Sequence, residues 1–207
     1  MDLNFELIVY QTLENRKNSF AIERDGPFPC RDQNTWLGPG YYFWESFIEN
    51  AHWWGKDVRK YVNGYIICRG NYNYDPKRCF DLLNPLYVEL IRKSYDYIKK
   101  NGIEHKCTLL KHLVYFTKDH ISKIDARYSS IEFEAIRAVG EDVRHVSYGL
   151  NISIKFEKRR QSYQEICPPI QICFLQKNSL NLRGYKIEYI DKPTGLARFN
   201  PFKSQGN

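Results

Sequence analysis

Residues 36–55, WLGPGYYFWESFIENAHWWG, constrain the fold of this chain more than any other stretch. Leu37, Gly38, Pro39 and Gly40 read as a tight turn, because glycine supplies backbone angles and a close approach that residues with a Cβ deny. Residues 41–44 follow as a short β-like run, and residues 45–54 have the composition of a helix that ends at Gly55. Trp53 then falls about three helical turns after Tyr42. A helix folded back over the strand would set these two rings across a slot as wide as one flat heterocycle, and their negative faces would suit a cationic aromatic ligand. Any single ring of the set can equally be ordinary core. The glycine turn beside the pair is what favours a ligand slot.

With 207 residues, 43% of them hydrophobic, the chain can bury one substantial core, and a single domain over 1–207 is expected. Six cysteines are scattered without a CxxC pair, which argues against zinc and for reduced thiols in a cytoplasmic protein. The first residues carry no basic region ahead of their apolar run, and no stretch approaches the length of a membrane span, so neither export nor a membrane partner is expected. The formal charge is +7, from 31 Lys and Arg against 24 Asp and Glu, which favours an anionic partner. Local concentrations are Lys56, Arg59 and Lys60 after the aromatic segment, and Lys155, Lys158, Arg159 and Arg160 further on. Each reads as a solvated face or as a phosphate track.

Residues 5–10, FELIVY, read as a buried first strand. Leu13, Phe20 and Ile22 are spaced for one helical face that stops at Gly26-Pro27. Residues 64–68 and 79–83 read as further strands, separated by a loop. Asn84 and Pro85 suit the cap and first position of a helix over 86–100, and 106–116 repeats the helical spacing, so that about 84–127 forms a helical insertion. Residues 130–134 can be a strand, while 132–139 also reads as a short helix. Residues 167–174 and 184–190 read as strand, bend, strand.

The segment LGPGYYFWESFIENAHWW resembles the nicotinamide-binding segment of the ADP-ribosyltransferase fold, in the branch of diphtheria toxin and the poly(ADP-ribose) polymerases. That segment has the form G-x-G-φ-Y-F, then a short helix with Ala and a second aromatic residue. The resemblance implies an α+β fold of split antiparallel sheets with flanking helices, and a site that takes NAD. Tyr42 stands at the stacking tyrosine and Trp53 at the second aromatic position, with Gly40 in the turn that lets backbone approach the ligand. Members of the family close their first strand in Tyr-His-Gly-Thr, where this chain has Tyr10-Gln11-Thr12. By that match Gln11 positions the adenosine-side ribose, and Thr12 replaces the glycine whose backbone bonds the carboxamide. Gln171, in Gln-Ile-Cys-Phe, falls where polymerases carry the catalytic glutamate at the head of the penultimate strand. Glu141 could supply the carboxylate that Gln171 lacks, and Glu132 is the runner-up for that role. No metal is implied.

The activity implied is mono-ADP-ribosyl transfer, a glycosyl transfer from NAD through an oxocarbenium-like state. A glutamine can position the ribose hydroxyl but offers no full charge, and losing a charged stabiliser costs about a hundredfold to a thousandfold in rate. The acceptor expected is a macromolecule, nucleic acid with RNA favoured over DNA, or protein. Small members of the branch resemble toxin–antitoxin and phage-defence transferases, so a toxin or antiviral effector, with an antitoxin as possible partner, is the implied role. The alternatives are a non-catalytic module that binds NAD, ADP-ribose or nucleic acid, and an NAD glycohydrolase.

Overall fold

The computed structural model describes residues 5–31, 35–129, 132–140, 153–157 and 163–191. Its centre is a seven-stranded sheet built from β1 (Phe5–Glu14), β2 (Tyr41–Glu45), β3 (Tyr65–Tyr74), β4 (Cys79–Asp81), β5 (Ala135–Val139), β8 (Ile170–Phe174) and β9 (Arg183–Ile190). The spatial order is β4-β5-β8-β2-β1-β3-β9, and β6 (Ser153–Lys155) and β7 (Tyr163–Glu165) make a separate hairpin. β4 runs parallel to β5 and the other ladders are antiparallel. The fold is therefore α+β around one mixed sheet, not two separate antiparallel ones. The parallel pair exists because a long helical crossover separates β4 from β5 in sequence.

That crossover contains α3 (Pro85–Lys100) and α4 (Leu110–Ile124). Asn84 caps α3 by accepting a hydrogen bond from the Leu86 N–H at 3.0 Å, and Pro85 occupies the first turn, where its missing N–H costs nothing. Tyr87, Leu90, Ser94 and Ile98 form the buried stripe of α3, and Val114, Thr117 and Ile121 that of α4. The two stripes meet at a hydroxyl pair, with Thr117 donating to Ser94 at 2.7 Å. Together they cover Phe80, Ile136, Ala138 and Cys173 on one sheet face, so the helices complete the main core rather than standing apart from it. The other face is closed by Val9, Phe43, Tyr72, Ile172, Phe174 and Leu180. Shorter helices α1 (Ser19–Asp25) and α2 (Ile48–Trp53) pack on β1 and β3. No helix among the described residues is long and apolar enough to cross a membrane.

Several elements differ from the sequence expectation. β1 continues past Tyr10 to Glu14, pairing with β3 along all ten residues, so Leu13 belongs to a strand and α1 begins only at Ser19. β3 likewise runs through Asn71 and Tyr72 to Tyr74, where a loop was expected. Residues 135–139 form a strand, neither the helix over 132–139 nor the strand over 130–134; Ser130 and Ile131 lie outside the described residues.

Beneath β2 and β5 lies a buried ion network. Arg137 donates to both carboxylate oxygens of Glu45 at 2.6 and 2.9 Å and to Asp81 at 3.0 and 3.2 Å. Tyr72 and Tyr74 donate to Glu45 and Asp81, each at 2.6 Å. The guanidinium makes a charge-assisted two-donor fork on Glu45, and its Nη1 is shared between the two Asp81 oxygens, which compensates for desolvation.

Candidate functional site

β1 and β2 are joined by two residue pairs alone, Val9 with Glu45 and Tyr10 with Trp44. Beyond Tyr10 the strands diverge, β1 following β3 and β2 following β8. A cavity of about 490 Å³ opens at the divergence, within the range typical of small-molecule sites. Gln11, Thr12, Tyr42 and Gln171 all line it, although 160 residues separate the first from the last. Trp36, Trp44, Trp54, Arg59 and Tyr61 complete much of its wall.

Gln11 holds the gap open in a defined shape. Its Nε2 donates to the Phe28 carbonyl at 2.9 Å and the Tyr42 carbonyl at 3.3 Å. Its Oε1 accepts from the Phe28 N–H at 3.1 Å and the Tyr185 hydroxyl at 2.7 Å. Both donors and both acceptor positions of the amide are thereby used. Gln11 stands in for a missing stretch of strand, and the ribose contact expected of it would require giving up one of these bonds.

Thr12 is committed as well, its hydroxyl donating to the Ala51 carbonyl at 2.8 Å and so tying β1 to α2. Gly40 does not line the cavity. A Cβ there would stand 2.5 Å from the Cys173 sulfur and 2.7 Å from the Phe174 carbonyl, so this glycine serves the close approach of the turn to β8. Tyr42 is held by its hydroxyl, which donates to the Gly38 carbonyl at 2.6 Å and accepts from the Leu37 N–H at 2.8 Å. Burial pushes this phenol far up from its ordinary range. The ring is thus neutral and fixed in orientation, which suits it to stacking.

The aromatic partner differs from the one the sequence suggested. Trp53 is buried against Trp44, Ala51, Tyr65 and Ile67, with its ring edge-on to Trp44 at 6.0 Å, and it does not line the cavity. The next residue does: Trp54 stands 5.8 Å from Trp36 and 5.9 Å from Trp44. Adjacent helical residues point about 100° apart, so the side of α2 that packs Ala51 and Trp53 against Tyr65 and Ile67 leaves Trp54 to the cavity, at the start of a π turn over Trp54–Val58. Gly55 permits the turn, because a Cβ would come within 2.6 Å of the Tyr65 ring.

Gln171 is the polar member of a strand buried along its whole length. It pairs across to Trp44 on β2 and Ala138 on β5, is 5% exposed, and its Oε1 has no hydrogen-bond partner among the described residues. An unpaired buried acceptor costs about 1–3 kcal/mol, so a donor that reaches it from the cavity would be favoured. Among the described residues no carboxylate lines the cavity, and Arg59 is its one charged side chain. Glu141, like Lys158, Arg159 and Arg160, lies outside the described residues, and Glu132 is exposed away from the cavity. No cluster of His, Cys, Asp and Glu suited to a metal occurs among the described residues.

Trp36, Trp54 and the saturation of Gln11 were not anticipated from sequence. The aromatic density after Gly40 did mark the neighbourhood, and Arg59 belonged to a noted basic group. No protein-family model, characterised protein or solved structure matches this chain.

Proposed function

We propose that the cavity at the β1–β2 divergence binds NAD and that the chain is a mono-ADP-ribosyltransferase acting on a macromolecular acceptor, with RNA favoured. The observation that carries this reading is the convergence of Gln11, Thr12, Tyr42 and Gln171, three distant segments singled out by one family resemblance, on a single cavity. The aromatic wall of Trp36, Tyr42 and Trp54 suits a flat heterocycle, and the unpaired Gln171 Oε1 suits a sugar hydroxyl. The positive formal charge favours nucleic acid over protein as acceptor. The toxin or antiviral role and an antitoxin partner follow from the resemblance.

In this reading NAD supplies an activated glycosidic bond, whose cleavage develops positive charge at the ribose carbon. Tyr42 and Trp54 hold the leaving ring, and Gln171 orients the ribose hydroxyl through its free acceptor. Gln11 acts on the reaction indirectly, by fixing the width of the cleft. Positioning of this kind is worth several orders of magnitude in rate without any acid or base.

A second reading, binding of NAD or ADP-ribose without turnover, is favoured by the lack of a carboxylate among the described lining residues. NAD labelled on its adenylate, incubated with pools of RNA, single-stranded DNA, duplex DNA and protein, separates the two. Transfer to the RNA pool that disappears in Tyr42→Ala is the expected result. Gln171→Glu restores a charge beneath the reacting sugar and should raise the rate about a hundredfold. No label in any pool with NAD intact, in both wild type and Gln171→Glu, would remove the transferase reading.

A further inference from the structure

The geometry points to Arg59 as the phosphate-binding residue of the cavity, held over Trp54 so that an anionic nucleotide is gripped by the ring and the guanidinium together. The inference deepens the proposed function, since it names the anionic subsite of the same cavity. Its basis is local geometry. The Arg59 N–H donates to the Trp54 carbonyl at 2.8 Å, the five-residue bond that closes the π turn. In a regular α-helix residues five apart point about 140° away from one another. The wider π turn places them on one side, and the guanidinium carbon stands 5.5 Å from the centre of the Trp54 ring. Tyr61, two residues further on, lines the same cavity.

This arrangement leaves the guanidinium oriented but not neutralised. The ring face takes none of its five N–H donors, and no carboxylate pairs with it among the described residues. A planar fork with free donors matches two phosphate oxygens, which a lysine at the same place would meet only as a point charge. The same cavity is lined by Gln171, whose Oε1 has no partner among the described residues and suits a hydroxyl or amide donor. A cation for an anion, a ring face for a flat heterocycle and an acceptor for a hydroxyl, all lining one cavity, suit a phosphorylated nucleoside such as ADP-ribose.

The test uses the whole protein and ADP-ribose, with binding read from quenching of Trp36, Trp44 and Trp54. Wild type should bind, with affinity that falls as KCl is raised. Arg59→Gln should weaken binding about tenfold to a hundredfold at low salt and flatten its salt dependence, and Arg59→Lys should recover part of both. Arg59 is exposed, so the variants should keep the wild-type melting temperature. Unchanged affinity in Arg59→Gln would overturn the inference. So would a loss that leaves the salt dependence intact, because that would mean Arg59 only props Trp54, and so would failure of the wild type to bind ADP-ribose. NAD consumption is followed in the same samples. Arg59-dependent binding by a protein that leaves NAD intact upholds the inference while removing the transferase reading.

Discussion

Replacing Gln11 with leucine keeps the side chain's volume and deletes its amide, which separates a scaffolding role from a ligand-binding one. Four hydrogen bonds to three partners are lost, those to the Phe28 N–H and carbonyl, the Tyr42 carbonyl and the Tyr185 hydroxyl. Gln11 is 5% exposed, so water replaces them only from the cavity side. At about 1 kcal/mol net for each bond, discounted for that access, Gln11→Leu should lose about 2–4 kcal/mol of stability. With a urea slope of about 3 kcal/mol per molar for a chain of this size, the unfolding midpoint should fall by about 1 M. Ligand affinity should fall as well, because the strands are no longer held at a fixed distance. A midpoint within about 0.2 M of wild type, with ADP-ribose affinity reduced, would rule out a scaffolding role and make Gln11 a ligand contact.

The adjacent tryptophans should behave oppositely. Trp53→Ala empties a core position and should cost about 3–5 kcal/mol, seen as a melting temperature lower by about 10 °C. Trp54→Ala should keep most of the stability but weaken ADP-ribose binding at least tenfold, by removal of a stacking face worth about 1–3 kcal/mol. Arg137→Met strands two buried carboxylates, Glu45 and Asp81, and should cost about 3–5 kcal/mol in urea denaturation; adding Glu45→Gln and Asp81→Asn should recover more than half of it. Burial pushes the thiols of Cys68 and Cys167 up to about 11 and that of Cys173 up to about 12. At pH 8 their thiolate fractions are therefore about one in a thousand to one in ten thousand, and iodoacetamide labelling of the native protein should be slow and rise about tenfold per pH unit, as mass spectrometry of the labelled peptides would show.

Local signals gave the parts of this fold that local chemistry controls. The glycine turn before Tyr41 and the Asn84-Pro85 start of α3 were both legible, because turn and cap residues act on their own neighbours. β8 and β9 were legible as apolar strands bounded by turn residues. The extension of β3 through Gly70, Asn71 and Asn73 was not, because those polar residues sit in a strand only by virtue of full pairing with β1. Strand β5 was hidden for the same reason: Arg137 looks like a solvated residue until Glu45 and Asp81 meet it from other strands. The site divides in the same way. The positions of Gln11, Thr12, Tyr42 and Gln171 at one cavity followed from the sequence motifs, whereas Gln11's full set of bonds depends on partners 17 and 174 residues distant. The exchange of Trp53 for Trp54 depends on which side of α2 packs against Tyr65 and Ile67 of β3, tertiary partners that the local sequence does not name.

A crystal structure of the protein with a non-hydrolysable NAD analogue would locate the nucleotide in the cleft or elsewhere. The nicotinamide end should lie against Tyr42 and Trp54, a ribose hydroxyl within hydrogen-bond distance of Gln171 Oε1, and the pyrophosphate on Arg59. An analogue bound away from the β1–β2 divergence, or a cleft that stays empty at saturating ligand, would contradict the proposed site.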